Sequence, residues 1–414
     1  MKKIFADIII IGAGPAGMAA ALKAGKMGIK NILIIDRMPE PGGILQQCIH
    51  NGFGLHKFKK DLTGPEFANH YISKLGRPNI KVMLHTMATE LTRDGKVIIS
   101  NDTDGLVEVT PKAIILAMGC RERTRQQVSI PGTRPSGIFT AGVAQRFMNI
   151  EGYMPGKEVV VVGSGDIGMI MARRMTMEGA KVHAVTEILP YPGGLSRNVV
   201  QCLNDFDIPL YLQHGVVEIR GRDRVSGVKI AKLDQAGNPT NQTFDIDCDT
   251  LLFSVGLIPE NELSRMIPLE LSPITGGPFI DDNYQTSREG VFTCGNAAFV
   301  NDLADYACME GEIAGEAAAN YVNDALSSEF NMRVVAGCNL RFAVPNFLTG
   351  KAPVTLYMRV TQPMVDVKIT STDNIVNIKQ QIVKPSEMIE VTLDKAQLAK
   401  IKELKEFRIG VTPR

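Results

Sequence analysis

The chain has 414 residues, with 45 Lys and Arg against 44 Asp and Glu, and 44% of it is hydrophobic. That length suits two or three domains, the apolar content excludes wholesale disorder, and the near-zero charge gives no reason to expect nucleic acid or an anionic membrane as the main partner. The 7 cysteines contain no CxxC pair, which disfavours a zinc knuckle, a redox dithiol or a secreted disulfide scaffold and fits a reducing cytoplasm.

Met1-Lys2-Lys3 ahead of apolar residues imitates an export signal. Asp7 interrupts the run, and the uncharged stretch from Ile8 to Leu22 is 15 residues, short of the ~20 that span a bilayer. It reads instead as a first strand, Ile8 to Ile11, running into Gly12-Ala13-Gly14-Pro15-Ala16-Gly17. A helix-like segment, Met18 to Met27, follows, then a second strand, Ile32 to Ile35, closing on Asp36-Arg37, then Pro41-Gly42-Gly43-Ile44. Further on, Ala113 to Gly119 reads as a strand that returns to a Gly turn.

The same arrangement recurs. Val159 to Val162 runs into Gly163-Ser164-Gly165-Asp166-Ile167-Gly168, a helix-like Met169 to Glu178, and a strand Val182 to Glu187. Gly12 to Gly163, Gly17 to Gly168 and Asp36 to Glu187 are each 151 positions apart, and Pro192-Gly193-Gly194 repeats the later loop at that offset. A lone GxGxxG is weak. Here it follows a strand, opens a helix, precedes an acid, and does so twice. The first Gly makes a tight turn, the second lets backbone approach a pyrophosphate, and the third lets helix pack on strand. The helix N-terminus then faces the diphosphate, and the acid accepts hydrogen bonds from ribose hydroxyls. Thr250 to Gly256 repeats the return strand, and Val291 to Asn296 leads to a helix-like run from Leu303 to Tyr321. Residues 330–414 read as short β segments, including Pro353 to Val360, Met364 to Thr370 and Phe407 to Val411. Within 331–414, 13 Lys and Arg face 7 Asp and Glu, which marks a solvated surface or a docking face for an acidic partner.

On these motifs the chain resembles the two-dinucleotide-binding flavoproteins, which include the pyridine nucleotide–disulfide oxidoreductases. The resemblance implies an α/β fold with two Rossmann-like three-layer ββα-type dinucleotide-binding domains, the NAD domain inserted in a split FAD domain, plus a small β-rich C-terminal domain. The implied boundaries are 1–120 with 271–329 for FAD, 121–270 for NAD, and 330–414 for the C-terminal domain. FAD would lie on Gly12, Ala13, Gly14, Pro15, Ala16, Gly17, Asp36, Arg37, Gly42, Gly43, Ile44, Ala117, Gly119, Gly295, Asn296, Asp302 and Leu303. NAD would lie on Gly163, Ser164, Gly165, Asp166, Ile167, Gly168, Glu187 and Gly256. Hydride would pass between nicotinamide and flavin with no side-chain acid or base, so no catalytic residue and no metal is assigned.

Two departures narrow the reading. The stretch after Gly42-Gly43 holds one cysteine, Cys48, where disulfide reductases carry two, and no His-Glu acid–base pair follows in 330–414. Disulfide exchange needs a second thiol. The stretch from Pro41 to Leu55, with Cys294-Gly295-Asn296 and Asp302 to Asp305, resembles bacterial FAD/NAD oxidoreductase subunits that accompany a glycerol-3-phosphate dehydrogenase-like flavoprotein and a small cysteine-rich protein. Related subunits occur in amino-acid and opine dehydrogenase complexes and in hydrogen cyanide synthase. The expectation is therefore a cytoplasmic electron-transfer subunit, with self-association left open. Two alternatives stand beside it: an NADH oxidase or peroxidase using Cys48, with His50 beside it, and a non-catalytic FAD-binding scaffold. Glu187, with no nearby Arg, favours NAD(H) over NADP(H).

Overall fold

The computed structural model describes residues 1–414 as two compact units, one of Met1–Cys120 with Pro259–Arg414, the other Arg121–Ile258. In the first unit the strands order as Ile80–Met83, Ile32–Ile35, Lys2–Ile11, Gly105–Leu116, Val97–Asn101 and Met87–Leu91; Val291–Thr293 also pairs with Gly105–Leu116. Ile8 to Ile11 is parallel to Ile32 to Ile35 on one side and to Ala113 to Leu116 on the other. Its residues alternate between two cores. Ile8 and Ile10 join one with Ile32, Ile34 and Ile115, while Ile9 and Ile11 join another with Leu33, Ile35 and Ile114. A parallel strand buried on both faces must be apolar throughout, which is why the run is uninterrupted.

The helix Pro15–Lys26 packs against the helix Ala304–Val322. Glycine sets how closely. A Cβ on Gly311 would lie 2.1 Å from Ala16 O, and one on Gly315 would lie 2.3 Å from Ala20 O. Both helices of the repeated turns start earlier than the pattern indicates, at Pro15 and at Asp166, because the end of each glycine motif already forms the first helical turn.

The second unit holds a five-stranded parallel sheet in the order Ile138–Thr140, Thr250–Phe253, Glu158–Val162, Lys181–Glu187, Leu210–Leu212. A three-stranded antiparallel sheet of His214–Gly221, Val225–Leu233 and Pro239–Ile246 accompanies it. The chain re-enters the first unit at Pro259, where the sequence reading has 271. Leu257–Pro259 pairs with Cys120–Glu122.

Residues 330–414 lie within the first unit. They form one sheet of Phe347–Leu348, Met332–Ala336, Phe407–Pro413, Met364–Ser371 and Asn377–Val383, and another of Leu340–Val344, Val354–Val360 and Ile389–Leu393, around their own core. Polar ties join this segment to the rest of the unit. Thr349 N–H donates to Asp282 at 2.9 Å, and Ile280 N–H donates to Asn346 Oδ1 at 3.1 Å.

Candidate functional site

In the first unit the repeated turn sits at the C-terminal end of Lys2–Ile11. Gly12 has φ +110°, and a Cβ there would lie 2.3 Å from Ala117 O. A Cβ on Gly17 would lie 1.9 Å from Gly12 O. These two glycines are therefore required by the fold alone. Gly14 differs: its φ is −73°, and a Cβ would meet nothing within 4 Å. Gly14 is the N-cap of the helix Pro15–Lys26, which no side chain caps. An uncapped helix start with a side-chain-free approach suits a diphosphate.

Other loops converge on this turn. Asp36 Oδ2 accepts the Ala13 N–H at 2.7 Å, and Oδ1 accepts the Met38 N–H at 2.9 Å. Each carboxylate oxygen accepts about two hydrogen bonds, so acceptor capacity remains. Gly42, with φ +115°, donates its N–H to Ala13 O at 2.8 Å, and a Cβ on Gly43 would lie 3.1 Å from Gly14 Cα. Ile44 and Arg37 are exposed. Ala117 N–H donates to Ile11 O at 2.9 Å, and Gly119 has open space where a Cβ would point. From the far end of the unit, Gly295 has φ +64°, and its Cβ would lie 2.8 Å from Ala16 Cβ. Asn296 Nδ2 donates to Cys120 Sγ at 3.3 Å, while its Oδ1 accepts the Asn301 N–H at 2.9 Å.

Asp302 is committed differently. It pairs with Arg359 and accepts the Met388 N–H at 2.6 Å, so it anchors the C-terminal β segment beside Leu303, the N-cap of the helix Ala304–Val322. Asp305 is buried and accepts the N–H groups of Gly54, His56 and Lys57 at 3.0, 3.1 and 2.7 Å, holding the loop after Cys48 to that helix. Burial pushes the Cys48 thiol up to about 12, and its Sγ donates to Ile44 O at 3.2 Å. His50 Nδ1 lies 3.0 Å from Asn51 O, and its ring packs on Phe53.

The second unit repeats the turn with different support. Cβ atoms on Gly163, Gly165 and Gly168 would lie 2.3 Å from Ser254 O, 2.6 Å from Ser254 Oγ and 2.5 Å from Ser254 Cβ, respectively. Ser254 Oγ also accepts the Gly168 N–H at 3.0 Å. Glu187 is buried: Oε2 accepts from Ser164 N at 3.0 Å and Ser164 Oγ at 2.6 Å, and Oε1 accepts the Leu189 N–H at 3.0 Å. Asp166 Oδ1 accepts from Leu195 N at 2.8 Å and Asn198 Nδ2 at 2.6 Å. Ile167 is half-buried, and Gly256 is exposed with φ +102°.

In each unit, then, an acid at or just past the end of the second strand accepts the turn's own N–H; Asp36 is half-buried and Glu187 is buried. Sequence reasoning gave no role to Ser254 or Glu310 and named Asp305 only as the end of the Asp302 to Asp305 stretch. Ser254 directly follows the return strand Thr250–Phe253, and Asp305 and Glu310 are buried in an alanine-rich helix, so polar residues in apolar runs are the signal that was available.

A family model described as pyridine nucleotide-disulphide oxidoreductase matches residues 6–311. The hydrogen cyanide synthase subunit HcnB of Pseudomonas protegens is 26% identical over 336 residues, covering 75% of this chain and 67% of that protein. An opine oxidase subunit of Agrobacterium tumefaciens is 25% identical over 347 residues, covering 76% and 65%. The chain thus spans about two thirds of the length of these two relatives. Thioredoxin reductase of Treponema pallidum is 24% identical over 323 residues, covering 77% of this chain and 97% of that protein. The solved structure of Lactococcus lactis thioredoxin reductase has a TM-score of 0.64 at 21% identity, covering 77% of this chain and 99% of that one, a likeness of fold. No helix is long and apolar enough to cross a membrane.

Proposed function

The chain belongs to the pyridine nucleotide-disulphide oxidoreductase family, FAD-dependent NAD(P)H oxidoreductases, and we propose that it moves hydride between NAD(H) and FAD as the electron-transfer subunit of a heteromeric dehydrogenase. The observation that carries the reading is the duplicated glycine turn, each copy tied to an acid, on two separate sheets.

FAD and NAD, when bound, supply the hydride chemistry. The chain's own residues bind and orient. The Gly12–Gly17 turn offers backbone N–H groups and the positive end of a helix to a diphosphate. Asp36 offers its remaining lone pairs to ribose hydroxyls. Gly42, Gly43, Gly119, Gly295 and Asn296 complete the cradle without side-chain bulk or charge. In the other unit Gly163–Gly168 and Glu187 do the same for NAD. Glu187 brings negative charge to the ribose position, which disfavours a 2′-phosphate.

The partner reading rests on three points. Cys48 has no nearby cysteine in sequence, and its thiol, pushed up to about 12, is protonated at neutral pH; this argues against both disulfide reduction and a peroxidatic Cys48. HcnB and the opine oxidase relative are by name subunits. The C-terminal β segment carries the local positive charge and suits docking to an acidic surface. The partner class is a substrate-oxidising flavoprotein of the glycerol-3-phosphate dehydrogenase type, with a small cysteine-rich protein beside it.

The test has two stages. Anaerobic NADH titration of the isolated chain should bleach bound flavin, whereas a non-catalytic scaffold leaves the flavin oxidised. Isolated chain with NAD and glycerol 3-phosphate should not turn over until the partner is added. Substrate-linked turnover by the chain alone would refute the subunit reading and leave both dinucleotide assignments in place.

A further inference from the structure

Ala13 and Ser164 occupy equivalent places in the two glycine turns, 151 positions apart like the glycines around them. Both side chains are fully buried. Each backbone N–H donates to the acid of its own unit, Ala13 to Asp36 at 2.7 Å and Ser164 to Glu187 at 3.0 Å. The later loop is held differently in the two copies. Gly42 N–H donates to the backbone O of Ala13 at 2.8 Å, whereas its counterpart Gly193 donates to the Ser164 hydroxyl at 2.7 Å. Ser164 Oγ in turn donates to Glu187 Oε2 at 2.6 Å. Loop, turn and acid of the second unit are thus joined in one run of hydrogen bonds through a hydroxyl that the first unit lacks.

We propose that Ser164 is a specificity-determining residue of the second site: its hydroxyl clamps the Glu187 carboxylate, so that the negative charge cannot turn away from a 2′-phosphate. An untethered glutamate changes rotamer readily and gives way to a competing anion. Glu187 is not free to do so. Oε2 carries both Ser164 donors, which fills its usual capacity of about two hydrogen bonds, and Oε1 holds the Leu189 N–H at 3.0 Å. Swinging the carboxylate out would break these charge-assisted bonds together. The loop also blocks it, since a Cβ on Gly193 would lie 3.3 Å from Glu187 Oε2. What remains is acceptor capacity on Oε1, which welcomes a ribose hydroxyl and repels a phosphate.

The first unit supplies the contrast. Each Asp36 oxygen accepts a single backbone N–H, from Ala13 or from Met38, and no hydroxyl holds the carboxylate. FAD has no 2′-phosphorylated competitor, so a clamp there would select against nothing. NAD has one in NADP, and the clamp stands on the side where the choice must be made.

This role rests on the NAD reading of the second unit. The experiment uses FAD-loaded native protein, Ser164→Ala, Glu187→Gln and the double variant. Alanine is the residue that the first turn already carries at this place, so Ser164→Ala should fold, and its melting curve checks that. Calorimetric titration with NAD and with NADP measures the preference directly, and kcat/KM for flavin reduction by NADH and NADPH measures it again. Ser164→Ala should lower the preference for the unphosphorylated nucleotide about tenfold, by weakening NAD and sparing NADP. In the Glu187→Gln background the same change should leave the preference within about twofold, because the hydroxyl acts through the carboxylate. Amide hydrogen exchange at Gly193 should be faster in Ser164→Ala than in native protein, with no nucleotide present. A parallel loss of both nucleotides, an equal shift of preference in the Glu187→Gln background, or unchanged exchange at Gly193 would overturn the clamp. Native protein that binds neither nucleotide would defeat the NAD reading and the specificity role with it, whereas nucleotide binding with a preference unmoved by Ser164→Ala would defeat the specificity role alone.

Discussion

Alanine at Gly14 separates the fold's need for glycine from the cofactor's. The backbone there, φ −73° and ψ −175°, is open to alanine, and the new Cβ would meet no protein atom within 4 Å. Reduced freedom of the unfolded chain contributes about 0.4–1 kcal/mol in favour of the variant. Alanine's poorer fit as an N-cap offsets roughly as much. The cofactor-free protein should therefore unfold within about 1 kcal/mol of the native chain. Bound diphosphate is another matter, because the methyl group projects where backbone must approach it. Overpacking of this kind costs ~1–3 kcal/mol, which is roughly a 5- to 150-fold loss of affinity. The assay is FAD titration of stripped protein by flavin fluorescence, beside its thermal unfolding. Gly17→Ala is the contrast: a Cβ 1.9 Å from Gly12 O disturbs backbone and should lower both stability and affinity. Unchanged FAD affinity in a normally stable Gly14→Ala protein would show that the helix start is not the diphosphate site.

Nucleotide choice follows from Glu187: flavin reduction should favour NADH over NADPH by about tenfold or more in kcat/KM, a difference of ~1.4 kcal/mol, and equal efficiencies would contradict the charge argument. Cys48→Ser should leave the rate of flavin reduction by NADH unchanged in stopped-flow measurements, since a thiol pushed up to about 12 offers no thiolate at neutral pH; a large loss would restore Cys48 to the chemistry. Gly315→Ala sets helix propensity against packing. Alanine is favoured by ~1 kcal/mol in a helix, but a Cβ 2.3 Å from Ala20 O forces the two helices apart at a cost of ~1–3 kcal/mol. The melting temperature should fall, and a rise would mean that the helices separate freely.

Both dinucleotide turns, their strands and their order along the chain were legible in the sequence. A βαβ unit is built from residues close in the chain, and its buried strands must be apolar on both faces, so Ile8 to Ile11 and Val159 to Val162 declare themselves. The two acids were legible as well, by their spacing from the last glycine. What each acid touches was not. The Ala13 N–H on Asp36 and the Ser164 hydroxyl on Glu187 depend on how the turn folds back over its own second strand. The partners of the longest-range contacts left no local trace. Ser254 backs glycines more than eighty positions earlier, Asp302 meets Arg359 across the C-terminal segment, and Asp305 holds a loop from near the start of the chain. Ionisation was the least legible of all. A cysteine or glutamate has the same letter whatever surrounds it, and only the packing of the folded chain pushes the half-buried Cys48 thiol and the buried Glu310 carboxyl up.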